Sequence, residues 1–206
     1  MCTSLLALRL LPIMLRTAEK HHTTPRIVVV SSEVHYWAKL DKDVIDSPNG
    51  LVKFGKVEYS EIEKDIAGRY MDSKCLYAFF AHIRVLTLIS ILSIVLNVFF
   101  ARGLSERLHD KPLIVNTVNP GFCHSELARN ITGLQAWYMW LRKIILARST
   151  EQGSRQFIWA CIGGKDDIDQ LRGAYISSMR IQEASDSVVS EEGNRAQTKL
   201  WVNNHH

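Results

Sequence analysis

Glycine is scarce at the start of this chain of 206 residues, where the first of 11 glycines is Gly50. A dinucleotide-binding turn needs glycines directly after a strand, because the backbone must approach a pyrophosphate group closely at a helix N-terminus. The residues before Arg26 cannot supply that turn. Their apolar pattern indicates a helix that precedes the first strand.

The chain also lacks paired cysteines. None of its four cysteines has Cys-x-x-Cys spacing; they are Cys2, Cys75, Cys123 and Cys161. This pattern outlines no disulfide framework, so we expect reduced thiols in an intracellular protein. His35 and His124 have no acidic or cysteine residue at metal-ligand spacing. We therefore predict no metal site and expect both histidines to face solvent or lie in loops.

The chain has no uncharged stretch of the ~20 residues that are needed to cross a bilayer. The stretch 85–101 has 17 uncharged residues and follows Arg84. We therefore expect a cytoplasmic protein, and the alternative is membrane association at the endoplasmic reticulum through 75–101. Neither sign of charge dominates, with 25 basic and 21 acidic residues. Without a basic stripe interleaved with aromatic residues, we expect no nucleic-acid partner.

Two β-branched runs are present, and both end in residues suited to chemistry. Arg26 to Ser32 reads R-I-V-V-V-S-S, and Leu113 to Gly121 reads L-I-V-N-T-V-N-P-G. Such runs are typical of strands buried on both faces of a parallel sheet. Open α/β sheets bind ligands at the carboxyl ends of their strands. We therefore predict that the two runs pair in parallel and place their polar ends at one edge.

Tyr70 and Lys74 stand four residues apart, which places them on one face of a helix. An ammonium group beside a phenol favours the phenolate, whose unperturbed pKa near ~10 is otherwise too high for proton exchange at neutral pH. The spacing alone is weak evidence. Its position between the two strands makes it specific.

With these motifs the chain resembles the short-chain dehydrogenase/reductase family, and within it the retinol-dehydrogenase-like branch. The matching segments are V-V-V-S-S-E-V-H-Y (Val28 to Tyr36), Y-M-D-S-K (Tyr70 to Lys74), L-N-V-F-F-A-R-G-L-S-E-R-L (Leu96 to Leu108), V-N-P-G-F-C-H-S-E-L (Val118 to Leu127), G-A-Y-I-S (Gly173 to Ser177) and S-E-E-G-N-R-A-Q-T-K-L-W (Ser190 to Trp201). They occur in the expected order along most of the chain.

The resemblance implies a role for each matched residue. Tyr70 would be the general acid and base, and Lys74 would lower its pKa and contact the nicotinamide ribose. Ser32 would hydrogen-bond the substrate carbonyl. Pro120 and Gly121 would line the nicotinamide site, together with Ser125. At this last position the family more often has threonine.

The implied fold is α/β: the C-terminal part of a Rossmann-like doubly wound parallel sheet, lacking the N-terminal glycine-rich βαβ half. In the family the Tyr/Lys helix runs directly into a segment like Leu96 to Phe100, but here the 20 residues of 75–94 intervene. We therefore predict a single partial domain over 1–206 with a non-family insert at 75–94. We expect 70–109 to form one very long helix or two helices. Our hypothesis for the insert is a retained intron read in frame.

The resemblance implies an oxidoreductase that uses NADP or NAD and acts on an alcohol or carbonyl group of a small apolar substrate. Because the pyrophosphate site is missing, we expect this chain to be an inactive fragment. The alternative is a non-catalytic remnant or a membrane-associated interaction protein of the same family. Weak membrane association and homo-oligomerisation stay open as further interactions.

Three further elements are predicted around these motifs. Gly133 to Ala147 has the pattern of an amphipathic helix, which the resemblance makes a substrate-binding flap. Ser149 to Gln152 has the pattern of a capping box, opening a helix that ends near Gly163. Ala174 to Ile176 is predicted as a short last strand.

Overall fold

The computed structural model describes residues 2–37, 93–124, 134–164 and 167–202. These residues form an α/β protein with two compact units. The first unit consists of 1–33 and 100–183, and the second consists of 34–99 and 184–206. The first unit contains the sheet and the strand ends that carry the predicted site.

Within the described ranges the sheet has four strands, in the order β1 (Arg26–Val30), β2 (Ile114–Asn119), β3 (Tyr175–Ser177) and β4 (Arg180–Gln182). β2 pairs in parallel with β1 and with β3, whereas β4 returns antiparallel to β3. The predicted parallel pairing of the two β-branched runs is confirmed, with Val28 opposite Asn116. The prediction of a last strand at Ala174 to Ile176 was wrong in one respect, because β4 follows β3 after a tight turn.

β2 lies at the centre of this unit, and all six of its residues are buried. A strand between two parallel neighbours is covered on both faces, which is why apolar β-branched residues dominate it. Two of its polar side chains donate hydrogen bonds: Asn116 Nδ2 to the Ala160 carbonyl at 3.3 Å, and Thr117 Oγ1 to the Ala174 carbonyl at 3.1 Å.

Four helices accompany the sheet in chain order. They are α1 (Cys2–His21), α2 (93–107), α3 (Leu134–Leu146) and α4 (Thr150–Ile162). Residues 100–107 of α2 belong to the first unit. The prediction of a helix over Gly133 to Ala147 is confirmed by α3. α4 packs on β1, β2 and β3, and its Ala160 joins a buried core cluster with Ile114, Val118, Leu171 and Ile176.

α4 begins with the predicted capping box. Ser149 Oγ accepts a hydrogen bond from the Gln152 amide at 3.1 Å, and Gln152 Oε1 accepts one from the Ser149 amide at 3.0 Å. Gly163 ends the helix, its amide bonded to the Trp159 carbonyl at 2.7 Å. The local sequence therefore defines both ends of this helix.

The second unit is helical in its described part. It contains most of a 3₁₀ helix (Glu33–Trp37), residues 93–99 of α2, α5 (Asp186–Val189) and α6 (Glu191–Val202). Val95, Val98, Phe99, Val188 and Ala196 form its buried cluster.

His35 corrects one of our predictions. We expected it to face solvent or lie in a loop, but it is completely buried in the 3₁₀ helix. Its Nε2 accepts a hydrogen bond from the Ser185 amide at 3.1 Å. A buried polar nitrogen needs such a partner, and this partner comes from a distant part of the chain.

The predicted insert at 75–94 lies outside the described residues except for 93 and 94, which begin the described part of α2. Over the ranges that the structure describes, no helix combines the length and hydropathy needed to cross a bilayer.

Candidate active site

The carboxyl end of β1 carries two serines in different environments. Ser31 is buried, and its amide donates to the Val118 carbonyl at 2.8 Å, which continues the pairing with β2. Among the residues that the structure describes, its side-chain hydroxyl has no hydrogen-bond partner. Ser32, the predicted substrate-binding serine, is half-buried one residue further on. The structure therefore places one unsatisfied hydroxyl and one accessible serine at this strand end.

The carboxyl end of β2 is organised by the buried side chain of Asn119. Its Oδ1 accepts a hydrogen bond from the Gly121 amide at 2.9 Å, which closes a tight turn around Pro120. Its Nδ2 donates to Ser177 Oγ at 3.2 Å, at the end of β3. One amide thus fixes the Pro120–Gly121 turn and joins two strand ends.

Gly121 has a φ of +79°, a conformation that side-chain-bearing residues rarely adopt. A β-carbon at this position would lie 3.3 Å from Arg148 Nη1. Arg148 therefore lies directly against the turn that the sequence predicts to line the nicotinamide site.

Arg148 is connected to the loop after β2 through its backbone as well. Its amide donates to the Phe122 carbonyl at 2.8 Å, and its carbonyl accepts from the His124 amide at 3.0 Å. Its Nη2 donates to Ser178 Oγ at 3.1 Å, in the turn between β3 and β4. This residue links the ends of β2 and β3.

The start of α4 packs against the same loop. Cys123 Sγ donates to the Pro120 carbonyl at 3.3 Å. A β-carbon at Gly153 would lie 2.5 Å from that sulfur, so a larger residue there would force the Cys123 side chain to move. Cys123 thus has a packing role in the described structure.

The turn between β3 and β4 contains two successive residues with positive φ, Ser178 at 55° and Met179 at 56°. The Met179 amide donates to Gln156 Oε1 at 2.7 Å, and Gln156 is buried within α4. Gln156 in turn donates to the Gln152 carbonyl at 3.4 Å. The helix therefore holds the turn in a conformation that non-glycine residues seldom adopt.

An open cleft of about 310 Å³ lies between α4 and this turn. Its lining residues are Arg148, Gln152, Arg155, Gln156, Ser178 and Met179. Its position beside Gly121 places it at the carboxyl edge of the sheet, where α/β proteins bind ligands.

Of the residues predicted for the site, the structure describes Ser32, Pro120 and Gly121 at the carboxyl ends of the paired strands β1 and β2. Tyr70, Lys74 and Ser125 lie outside the described residues. Within the described ranges, no group of three His, Cys, Asp or Glu side chains is arranged to hold a metal ion.

Sequence reasoning missed the contributions of Asn119, Arg148 and Gln156. Asn119 had a usable signal, since asparagine before a turn commonly bonds to the backbone two residues on. Arg148 and Gln156 had none, because their partners lie 30 and 23 residues away in the chain.

The known proteins that are similar to this chain are named as short-chain dehydrogenases. The chain is 30% identical over 201 residues to the short chain dehydrogenase/reductase dmxR8 of Cryptosporiopsis sp., which covers 97% of this chain and 53% of the relative. It is 34% identical over 118 residues to the short-chain dehydrogenase anuD of Penicillium roqueforti, covering 53% of this chain and 30% of the relative. It is 30% identical over 182 residues to the short chain dehydrogenase sol3 of Alternaria solani, covering 88% and 52%.

The chain thus spans about half the length of the first of these relatives. No family model matches it, and no solved structure matches it. The similarities and the mostly parallel sheet together support the short-chain dehydrogenase/reductase family, with a partial Rossmann-like fold.

That family implies a nicotinamide dinucleotide, and the described residues fit it at one end. The unsatisfied Ser31 hydroxyl and the Gly121 turn lie at the ends of adjacent parallel strands, where a nicotinamide or substrate group could bond. Residues 2–37 contain no glycine and hence no turn of the kind that a pyrophosphate needs. The fit is therefore to the reactive end alone.

Proposed function

We propose that this chain is the proton-transfer part of an oxidoreductase of the short-chain dehydrogenase/reductase type. That enzyme acts on an alcohol or carbonyl group with NAD or NADP, and this chain is a fragment of it that is inactive by itself. One observation carries the proposal: β1, which Ser31 and Ser32 directly follow, lies in parallel register beside β2, which leads into the Asn119–Gly121 turn. The names of its relatives agree with this function.

In this proposal each residue has a chemical task. Tyr70 exchanges a proton with the substrate oxygen, and the Lys74 ammonium stabilises the phenolate by its charge. Ser32 donates a hydrogen bond to the same oxygen and orients it. Pro120, Gly121 and Ser125 line the nicotinamide site. The cofactor, when bound, supplies or accepts the hydride.

We further propose that residues 1–206 do not bind a dinucleotide by themselves. The absence of glycine before Gly50 supports this, because the pyrophosphate turn depends on glycine. The insert at 75–94 interrupts the segment that follows Lys74 and would disturb the catalytic pair. We place the enzyme in the retinol-dehydrogenase-like branch, with an apolar carbonyl substrate.

The experiment compares the chain with a repaired protein. The repaired protein carries a glycine-rich N-terminal half from a relative and lacks residues 75–94. We expect it to oxidise NADPH with an apolar aldehyde or ketone. Tyr70→Phe in that protein should lower turnover at least ~100-fold, because it removes the general acid. Cofactor binding, followed by NADPH fluorescence, should change little.

Tyr36→Phe is the matched control, because it removes a phenol that is 44% exposed and has no proposed role. It should leave turnover unchanged. If the unrepaired chain turns over NADPH with a carbonyl substrate, the fragment proposal is wrong. A repaired protein that binds NADPH but is inactive before the Tyr70 substitution would favour the non-catalytic remnant.

A further inference from the structure

We propose that the cleft between α4 and the β3–β4 turn binds a carboxylate group, held by Arg148 and Arg155, on a ligand with an apolar body. That this ligand is the carbonyl substrate rests on the proposed function. The proposal that the cleft binds a carboxylate does not depend on the proposed function.

The first argument is position. Arg148 lies against Gly121 and bonds through its backbone to Phe122 and His124, so the cleft adjoins the turn at the end of β2. Ligands of open α/β sheets bind just outside the carboxyl ends of the strands. A group bound here could extend towards that turn.

The second argument is charge. Two guanidinium groups line the cleft and no carboxylate does so among the described residues. Each guanidinium has five N–H donors in a planar fork that matches a carboxylate. Arg148 donates one of them to Ser178, and Arg155 donates one to Glu151 at 2.6 Å.

The Arg155–Glu151 pair does not prevent binding. Its side chains are 58% and 73% exposed, and such surface ion pairs contribute little because water screens them. A carboxylate that bridges both guanidinium groups would gain a second cation that Glu151 does not contact. The ligand can therefore compete for Arg155.

The third argument is the shape of the β3–β4 turn. Ser178 and Met179 both have positive φ, as a two-residue turn between paired antiparallel strands requires, and the buried Gln156 accepts a hydrogen bond from the Met179 amide. The turn places Ser178 Oγ beside Arg148 and makes Met179, 47% exposed, an apolar wall of the cleft. The apolar wall is why we choose a carboxylate on an apolar body rather than free phosphate.

The test uses the full chain labelled with ¹⁵N and benzoate as the probe, with no cofactor present. The Nε–H resonances of Arg148 and Arg155, assigned from Arg148→Lys and Arg155→Lys, should shift saturably as benzoate is added. Arg155→Gln should weaken benzoate binding at least tenfold, because Arg155 is exposed and its loss leaves the fold intact. Inorganic phosphate should bind more weakly than benzoate.

Arg16→Gln is the matched control, since it removes the same charge from an exposed position on α1. Benzoate affinity should not change in this variant. Equal weakening by both substitutions, or the absence of a saturable shift, would overturn the site. Tighter binding of phosphate would overturn the carboxylate assignment. Because the measurement needs no turnover, it can succeed even if the repaired protein proves to be inactive.

Discussion

Asn119 shows how much one side chain organises at the end of β2. Its amide bonds to the Gly121 backbone on one side and to Ser177 on the other. With Arg148 spanning Gly121 and Ser178, two residues connect β2, β3 and the following turns. The site's backbone geometry therefore depends on a few polar side chains at the strand ends.

Gly121→Ala tests this dependence at the scale of one residue. Alanine is strained at a φ of +79°, and its β-carbon would press on Arg148 Nη1. We expect the free energy of unfolding to fall by about 1–2 kcal/mol, as measured by urea denaturation.

Gly121→Asn is the comparison, because asparagine tolerates the left-handed region better while adding the same β-carbon. It should destabilise less than alanine does. A Gly121→Ala protein as stable as the original would show that the turn relaxes, against our interpretation of the φ angle.

At the scale of the element, α4 packs on the sheet, and hydrogen bonds define both of its ends. It packs on three strands, carries Gln156 to the β3–β4 turn and presents Gly153 to the loop after β2. Its first turn therefore positions one wall of the cleft. A change in its capping box should therefore alter the position of that wall.

Ser149→Ala removes the hydroxyl that accepts the Gln152 amide and ends the reciprocal capping box. We expect a loss of ~1 kcal/mol in unfolding free energy, measured by urea denaturation. Ser154→Ala is the matched control: that hydroxyl is exposed and donates to the Glu151 carbonyl within the helix. Alanine has the higher helix propensity, so this control should be neutral or slightly stabilising. Equal losses in both variants would contradict the capping argument.

At the scale of the whole molecule, the described part of the first unit exposes many large apolar side chains. Large apolar side chains more than 40% exposed occur on α1, at the end of β1, and on α3; they include Leu5, Leu6, Leu10, Ile13, Val30, Trp137, Trp140 and Ile145. β1 is an edge strand of the described sheet. At ~25 cal/mol per Å², a few hundred Å² of such surface is comparable with the net stability of a domain.

We therefore expect the chain as written to self-associate, as measured by light scattering after gel filtration. Ile13→Lys should reduce that association, because it puts a charge into the apolar surface of α1. Thr17→Lys, one turn away at an exposed polar position, is its control and should have less effect. A monodisperse monomer of the unchanged chain would refute the expectation.

The sequence alone predicted the features that depend on neighbouring residues. The β-branched runs indicated β1 and β2, and the spacing of Ser149 and Gln152 indicated the start of α4. In each case the interactions that define the element involve residues close together in the chain. They are the burial of a run of apolar side chains and the hydrogen bonds between residues three positions apart. The order of these motifs along the chain also indicated the short-chain dehydrogenase/reductase family, which the similar proteins support.

Contacts between distant parts of the chain determined the rest. The buried ring of His35 has its hydrogen-bond partner in Ser185, 150 residues away. The turn between β3 and β4 is bonded to α4 through Gln156, which is 23 residues away from Met179. Arg148 reaches the site through Phe122, His124 and Ser178. No local pattern encodes these partners, since each hydrogen bond exists only once folding has brought its two groups together.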